Sequence, residues 1–168
     1  MSLMINRGGT NEERERIVQS IIDRQTLIQE PNSVYPILGV FAEGTTTNGS
    51  ALLPFKRGAF EGMRPVVPSF VTYDCGGQVR PTYDCLPMPL LSLLIFSSLQ
   101  FNTVTLNIMP EFRPNKVMLS KHSDKSGENW KIYAECVREA IAKQSNLALE
   151  NRNSHKEKQD YVNVMSGK

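Results

Sequence analysis

FAEGTTTNGSALLPFKRGAF, residues 41–60, is the densest run of unusual residue choices in the chain. The apolar run just before it, PILGVFA (36–42), is short and bounded by turn formers, so it is expected to be a buried strand. Glu43, Gly44 and Thr45 then place a carboxylate on a turn whose glycine permits close backbone approach. Thr45, Thr46, Thr47 and Asn48 add hydroxyl and amide groups, and Lys56 and Arg57 add two cations before Gly58. In an open α/β sheet, ligands bind beyond the carboxyl ends of the strands, which is where EGTTTNGS would lie. Hydroxyls, backbone amides and cations converging there suit a phosphate or a polar head group. A polar hairpin turn with exposed cations accounts for the same composition, and residue types alone leave both readings open. Two nucleotide motifs are excluded. Gly44 and Gly49 have the spacing of a P-loop, but Ser50-Ala51 stands where Lys and Ser/Thr are required, and no G-x-G-x-x-G occurs.

Outward from this stretch, Thr10 and Glu13 form a capping box. Ile17, Val18, Ile21, Ile22 and Ile28 recur at helical spacing, so a helix is expected from Asn11 to Ile28, ending before Pro31. PVVPSFVTY (65–73) reads as a strand, with Pro68 marking an edge or a bulge. MPLLSLLIFSSL (88–99) reads as a helix, and FNTVTLNIM (101–109) as an alternating, β-branched strand. EFRPNKVMLSKHSDKSG (111–127) reads as loop. From Glu128, Trp130, Tyr133, Ala134, Val137 and Ile141 mark one face of a helix that fades near Leu149. Alternating strands and helices predict an α/β domain over residues 1–149, followed by a polar, mobile tail over 150–168.

The totals exclude several classes. A chain of 168 residues supports one domain with a real core. A net charge of +2, without basic runs interleaved with aromatics, gives no case for nucleic-acid binding. Cys75, Cys85 and Cys136 form no C-x-x-C pair, and His122 and His155 stand far apart, so no metal site is expected and the cysteines are read as reduced thiols. No signal peptide precedes TNEERER, which makes the N-G-S sequon at Asn48 accidental. Cys85 to Pro110 carries no charge over 26 residues. Pro87, Pro89 and a polar second half leave LLSLLIFSSL (90–99) as its apolar centre, too short to span a bilayer. Core packing and contact with a membrane surface both remain open for it.

Residues 41–60 resemble the third signature block of the glycerolipid acyltransferases, in particular the lysophospholipid acyltransferases. That block runs Phe-Pro-Glu-Gly-Thr-x-(Thr/Ser)-Asn and is followed by Phe-Lys-x-Gly-Ala-Phe; Ala42 in place of the proline is the local departure. MINRGG (4–9) resembles the second block, PVVPSFVTY the fourth, and KIYAECVREAIAKQSNL the helix that closes the domain in the lysophosphatidylethanolamine and lysophosphatidylcholine branch. The resemblance covers Met4 to Leu149 and implies a central mixed sheet flanked by helices. It also implies transfer of a fatty acyl group from acyl-CoA to the free hydroxyl of a lysophospholipid, with no cofactor besides that co-substrate. Arg7 would hold the acceptor phosphate; Glu43, Gly44, Thr45 and Asn48 would position the acceptor; Lys56, with Arg57, would meet phosphates; Val67 and Pro68 would line the site. The implied partners are acyl-CoA, a lysophospholipid and a membrane surface, at the cytosolic face of the endoplasmic reticulum.

The family's first block, His-x-x-x-x-Asp, lies upstream of the arginine block and supplies the general base and its orienting carboxylate. Only six residues precede Arg7, so that pair and the N-terminal part of the fold are expected to be missing, and no catalytic residue is assigned. An inactive fragment or degenerate copy that binds anionic lipid or a partner is the alternative expectation. His155 and Asp160 match the spacing, but they sit in a charged tail unsuited to a rigid site and read as coincidence. His122, in a loop rich in lysine and serine, reads as solvated.

Overall fold

The structure is a computed structural model that describes residues 10–45, 47, 49–74, 103–120 and 128–151. Helix α1 spans Asn11–Ile28 as its pattern predicts. The Thr10 hydroxyl accepts from Glu13 N at 3.4 Å, and the Thr10 amide donates to Glu13 Oε2 at 2.8 Å, so two of the amides left over at the helix start are satisfied. Ile21 is its buried residue. The helix approaches a 3-10 turn at Arg57–Ala59 closely: a Cβ on Gly58 would lie 3.2 Å from Ile21 Cδ1. Gln25 Nε2 donates to Ala59 O at 3.0 Å across the same contact.

Helix α2, Asn129–Ser145, carries most of the core. Tyr133, Ala134, Val137, Ile141 and Ala142 pack against Leu52, Ala59 and Phe60. Burying the larger of these, Leu52, Phe60, Val137 and Ile141, contributes roughly 1.5–3 kcal/mol each. Tyr133, at 0% exposure, meets the Phe60 ring edge-on at 5.4 Å and stacks on Phe112 at 6.0 Å. The helix stops at Asn146, which takes a left-handed φ of 56° that asparagine tolerates well. Leu149, expected near the fading helix end, instead belongs to a strand.

The strands form two separate pairs. β1 (Ala51–Leu52) lies parallel to β4 (Ala148–Leu149), and β2 (Ser69–Asp74) lies antiparallel to β3 (Thr103–Ile108). The α/β content expected from the sequence is present, but among the described residues there is no single central mixed sheet. β2 and β3 keep one register from Ser69↔Ile108 to Asp74↔Thr103, whereas the bridge beyond them pairs Val66 with Phe112. Two residues, Val67 and Pro68, therefore stand opposite three, Met109, Pro110 and Glu111, which is a bulge. Pro68 accepts from Met109 N at 2.9 Å and has no N–H to return, so the irregularity expected at this proline is physically required. Phe70 packs on the core, while Val71, Tyr73, Val104 and Leu106 share the opposite, exposed face.

Residues 36–42 are not a strand, contrary to expectation. Ile37 is 90% exposed and Phe41 92%. A short apolar run becomes a buried strand only where a neighbouring strand supplies ladder partners, and no described residue does so here. Within 111–127, residues 116–120 form a helical turn rather than loop. Glu150 and Asn151, assigned to the tail, are held by hydrogen bonds: Glu150 N donates to Leu52 O at 3.0 Å, and Asn151 Oδ1 accepts from Arg138 at 3.1 Å. The helix expected over 88–99, both histidines, Cys75, Cys85 and residues 152–168 lie outside the described residues. None of the described helices is long and apolar enough to cross a membrane.

Candidate functional site

The loop from Ala42 to Lys56 is closed at two levels. Lys56 N donates to Ala42 O at 2.7 Å, and Leu53 N donates to Glu43 Oε1 at 2.8 Å. The chain enters through a turn in which Gly44 N donates to Phe41 O at 3.0 Å. Gly44 holds a left-handed φ of 68°, and a Cβ there would come within 3.1 Å of Lys56 Cγ. The lysine stem thus lies across the glycine, which gives this position two separate reasons to lack a side chain. Near the tip, Thr47 Oγ1 accepts from Gly49 N at 3.3 Å. The loop does not follow a strand end, since 36–42 is not a strand; it leads into β1 instead.

Glu43 is half-buried in this loop. Burial pushes its carboxyl above the ordinary 4.5, opposed by the Leu53 amide and by the charge of Arg138. Between 4.5 and the raised midpoint, the folded chain keeps a proton that the unfolded chain has lost, so stability falls as pH rises through that window. Glu43→Gln keeps an acceptor for Leu53 N–H and removes the titration. Its stability–pH curve is expected to be flatter than wild type above about pH 4.5, read from urea unfolding at a series of pH values. An unchanged slope would show that Glu43 does not titrate in this way.

Arg138 lies behind the loop at 1% exposure. Its Nη2 donates to Leu52 O at 3.0 Å and to Glu150 O at 2.8 Å, and its Nη1 donates to Glu135 Oε1 at 2.8 Å. One guanidinium thereby binds α2 to β1 and to the residue that follows β4.

Two curated proteins align with most of this chain. The lysophospholipid acyltransferase LPEAT1 of Arabidopsis thaliana is 28% identical over 132 residues, 79% of this chain and 31% of that protein. A lysophosphatidylcholine acyltransferase of Drosophila melanogaster is 30% identical over 136 residues, 77% of this chain and 22% of that protein. Over most of its length the chain is thus similar to lysophospholipid acyltransferases. It spans less than a third of the length of either relative. No protein-family model and no solved structure matches it.

Of the family residues expected at the site, the structure brings Glu43, Gly44, half-buried Thr45 and Lys56 together in one closed loop. The Lys56 ammonium end belongs to an exposed side chain, and no described carboxylate lies within ion-pair distance of it. Val67 and Pro68 form the bulge segment just before β2, Val67 54% exposed and Pro68 buried. Arg7 and Asn48 lie outside the described residues.

Arg57 departs from the phosphate-binding expectation. Its Nε and Nη2 donate to the two oxygens of Glu61 at 2.9 and 3.2 Å, and its Nη1 meets Glu15 Oε1 at 2.7 Å. Glu61 and then Glu15 raise its proton affinity further, so it is a fixed tie between α1 and the 3-10 turn. An open cleft of about 580 Å3 lies beside it, lined also by Glu61, Met63, Glu128, Asn129 and Trp130. Arg138 was not among the expected site residues. A signal existed: it falls four residues after Ala134 and three before Ile141, inside the apolar stripe of α2.

Proposed function

We propose that this chain contributes the acceptor-binding part of an acyltransferase that moves a fatty acyl group from acyl-CoA to the hydroxyl of a lysophospholipid. In that reaction the acceptor oxygen attacks the thioester carbonyl, the C–S bond breaks, CoA leaves as its thiol and the hydroxyl proton passes to a base. The base is not assigned to any residue of this chain. Glu43, in its closed loop, would accept a hydrogen bond from the acceptor, with Gly44, Thr45 and Asn48 shaping the approach. Lys56 and Arg7 would meet the acceptor phosphate by charge-assisted hydrogen bonds. Val67 and Pro68 would line the apolar side. The lipid substrates imply work at a membrane surface, proposed as the cytosolic face of the endoplasmic reticulum.

The observation that carries this reading is the half-buried Glu43 carboxylate, fixed at 2.8 Å by Leu53 N in a loop whose closing residue is an exposed lysine. A loop serving only as a turn gains nothing from desolvating a carboxylate. The test supplies purified chain with acyl-CoA and either lysophosphatidylethanolamine or lysophosphatidylcholine and follows thiol release. Binding of either acceptor is expected, with acceptor-dependent release about 10²–10⁴-fold slower than in an acyltransferase that carries its general base. Arg7→Ala is expected to raise KM for these acceptors by about tenfold, the worth of one charge-assisted hydrogen bond, while sparing monoacylglycerol. Lipid binding without thiol release would reject catalysis by this polypeptide. Equal effects on both acceptor types would reject the role given to Arg7.

A further inference from the structure

We infer that Arg138 is a positioning residue for Glu43, acting through the single peptide group between Leu52 and Leu53. Arg138 Nη2 donates to Leu52 O at 3.0 Å, and Leu53 N donates to Glu43 Oε1 at 2.8 Å. Leu52 O and Leu53 N belong to one planar unit, which is trans, as are all peptide bonds among the described residues. The two bonds therefore leave it on opposite sides. The cation sits at the negative end of the peptide dipole and the carboxylate at the positive end. In a poorly solvated interior such a chain is cooperative, each bond strengthening the next by roughly 10–30%. A guanidinium does not deprotonate in a protein, so this polarisation is permanent.

The arrangement is held rigidly. Leu52 O accepts a second bond from Glu150 N at 3.0 Å, which fixes the peptide plane from the β4 side. Arg138 is clamped by both oxygens of Glu135, at 2.8 and 3.1 Å, by Asn151 Oδ1 at 3.1 Å and by Glu150 O at 2.8 Å. Its Nε is buried with no acceptor among the described residues. Filling space alone does not account for a buried guanidinium with one donor unmatched; its bonds to Leu52 O and Glu150 O do the holding.

The hydrogen bond from Leu53 N fixes Oε1 of Glu43 from the side of the Leu52–Leu53 peptide. The charged groups around the loop are Arg138 with its partner Glu135 on α2, Lys56 lying over Gly44, and Glu150 after β4. The Arg138 charge also opposes the effect of burial on the Glu43 carboxyl. That the held carboxylate serves a lysophospholipid hydroxyl rests on the function proposed above; the coupling between the two side chains does not.

The test uses the full chain and NMR of the Glu43 carboxyl carbon and the Leu53 amide. In Arg138→Met the Glu43 midpoint is expected to rise by about one pH unit, and in Arg138→Lys, which keeps a cation, by clearly less. In the wild type the Leu53 amide shift is expected to follow the Glu43 titration, a measurement that holds even if the methionine variant fails to fold. Binding of lysophosphatidylethanolamine in mixed micelles is expected to weaken about tenfold in Arg138→Met and in Glu43→Gln. A Glu43 midpoint unmoved in folded Arg138→Met, or a wild-type Leu53 amide that ignores the Glu43 titration, would overturn the inference. If the midpoint moves but Glu43→Gln binds the acceptor as wild type does, the coupling stands and the acceptor role of Glu43 falls.

Discussion

Replacing Tyr133 by alanine is expected to lower the unfolding free energy by about 3–5 kcal/mol, the range for removing a buried aromatic ring. The ring is fully enclosed between Phe60 and Phe112, so little of the void can collapse. Its hydroxyl is shared between Arg64 O at 2.9 Å and Phe112 O at 3.0 Å, and it carries only one proton to give them. Phe112 O also accepts from Val66 N at 3.0 Å, so this hydroxyl ties α2 to the Val66–Phe112 bridge. Tyr133→Phe keeps the ring and is expected to cost about 1–2 kcal/mol, mainly through the carbonyls left short of a donor. Urea unfolding of the two variants separates the ring from the hydroxyl. A loss below about 1 kcal/mol for the alanine variant, close to the scale of surface substitutions, would mean that this cluster does not hold the fold. Burial also pushes the phenol up to about 12, so the stability it supports is lost as pH rises above its ordinary 10.

The second large effect belongs to Arg138. Arg138→Met is expected to destabilise the chain by about 2–4 kcal/mol, because Glu150 O loses a donor and the β1–β4 pair loses its tie to α2. The methionine fills most of the volume, so the loss reports hydrogen bonding rather than a cavity. Adding Glu135→Gln to Arg138→Met should cost little more, since Glu135 is half exposed and its partner is already gone. A full, additive penalty in the double variant would show that Glu135 has a separate role, measured as the interaction energy of the cycle.

Local chemistry decided what was legible in advance. The capping box at Thr10 and Glu13 set the start of α1, and the stripe from Tyr133 to Ile141 set the buried face of α2, because both depend on residues three or four apart. The β-branched alternation of 101–109 located β3, and Pro68 marked an edge or a bulge without saying which, or on which strand an extra residue falls. The apolar run 36–42 misled, because a period of two or a short hydrophobic block states what a strand would bury and not whether a partner exists. β1 and β4, two residues each, are too short to leave any periodic signal.

The candidate site divides in the same way. The run Glu43 to Lys56 carried its family signature in consecutive letters, and Gly44 declared a backbone that no side chain would suit. The fate of each charge was not written there. Arg57 and Lys56 are neighbours with the same sign, yet one is consumed by Glu61 and Glu15 and the other stays exposed. That division depends on which helix docks against the 3-10 turn. Arg138 lies 95 positions from Glu43 in the chain, counting from 43 to 138, and they meet across one peptide group. By itself the sequence determined the two long helices and carried the family resemblance of the loop that holds the carboxylate, since each rests on short-range spacing. Only the tertiary structure decided which cations are spent on the fold and which buried group stands behind Glu43, because those choices depend on distances between segments that the order of residues does not encode.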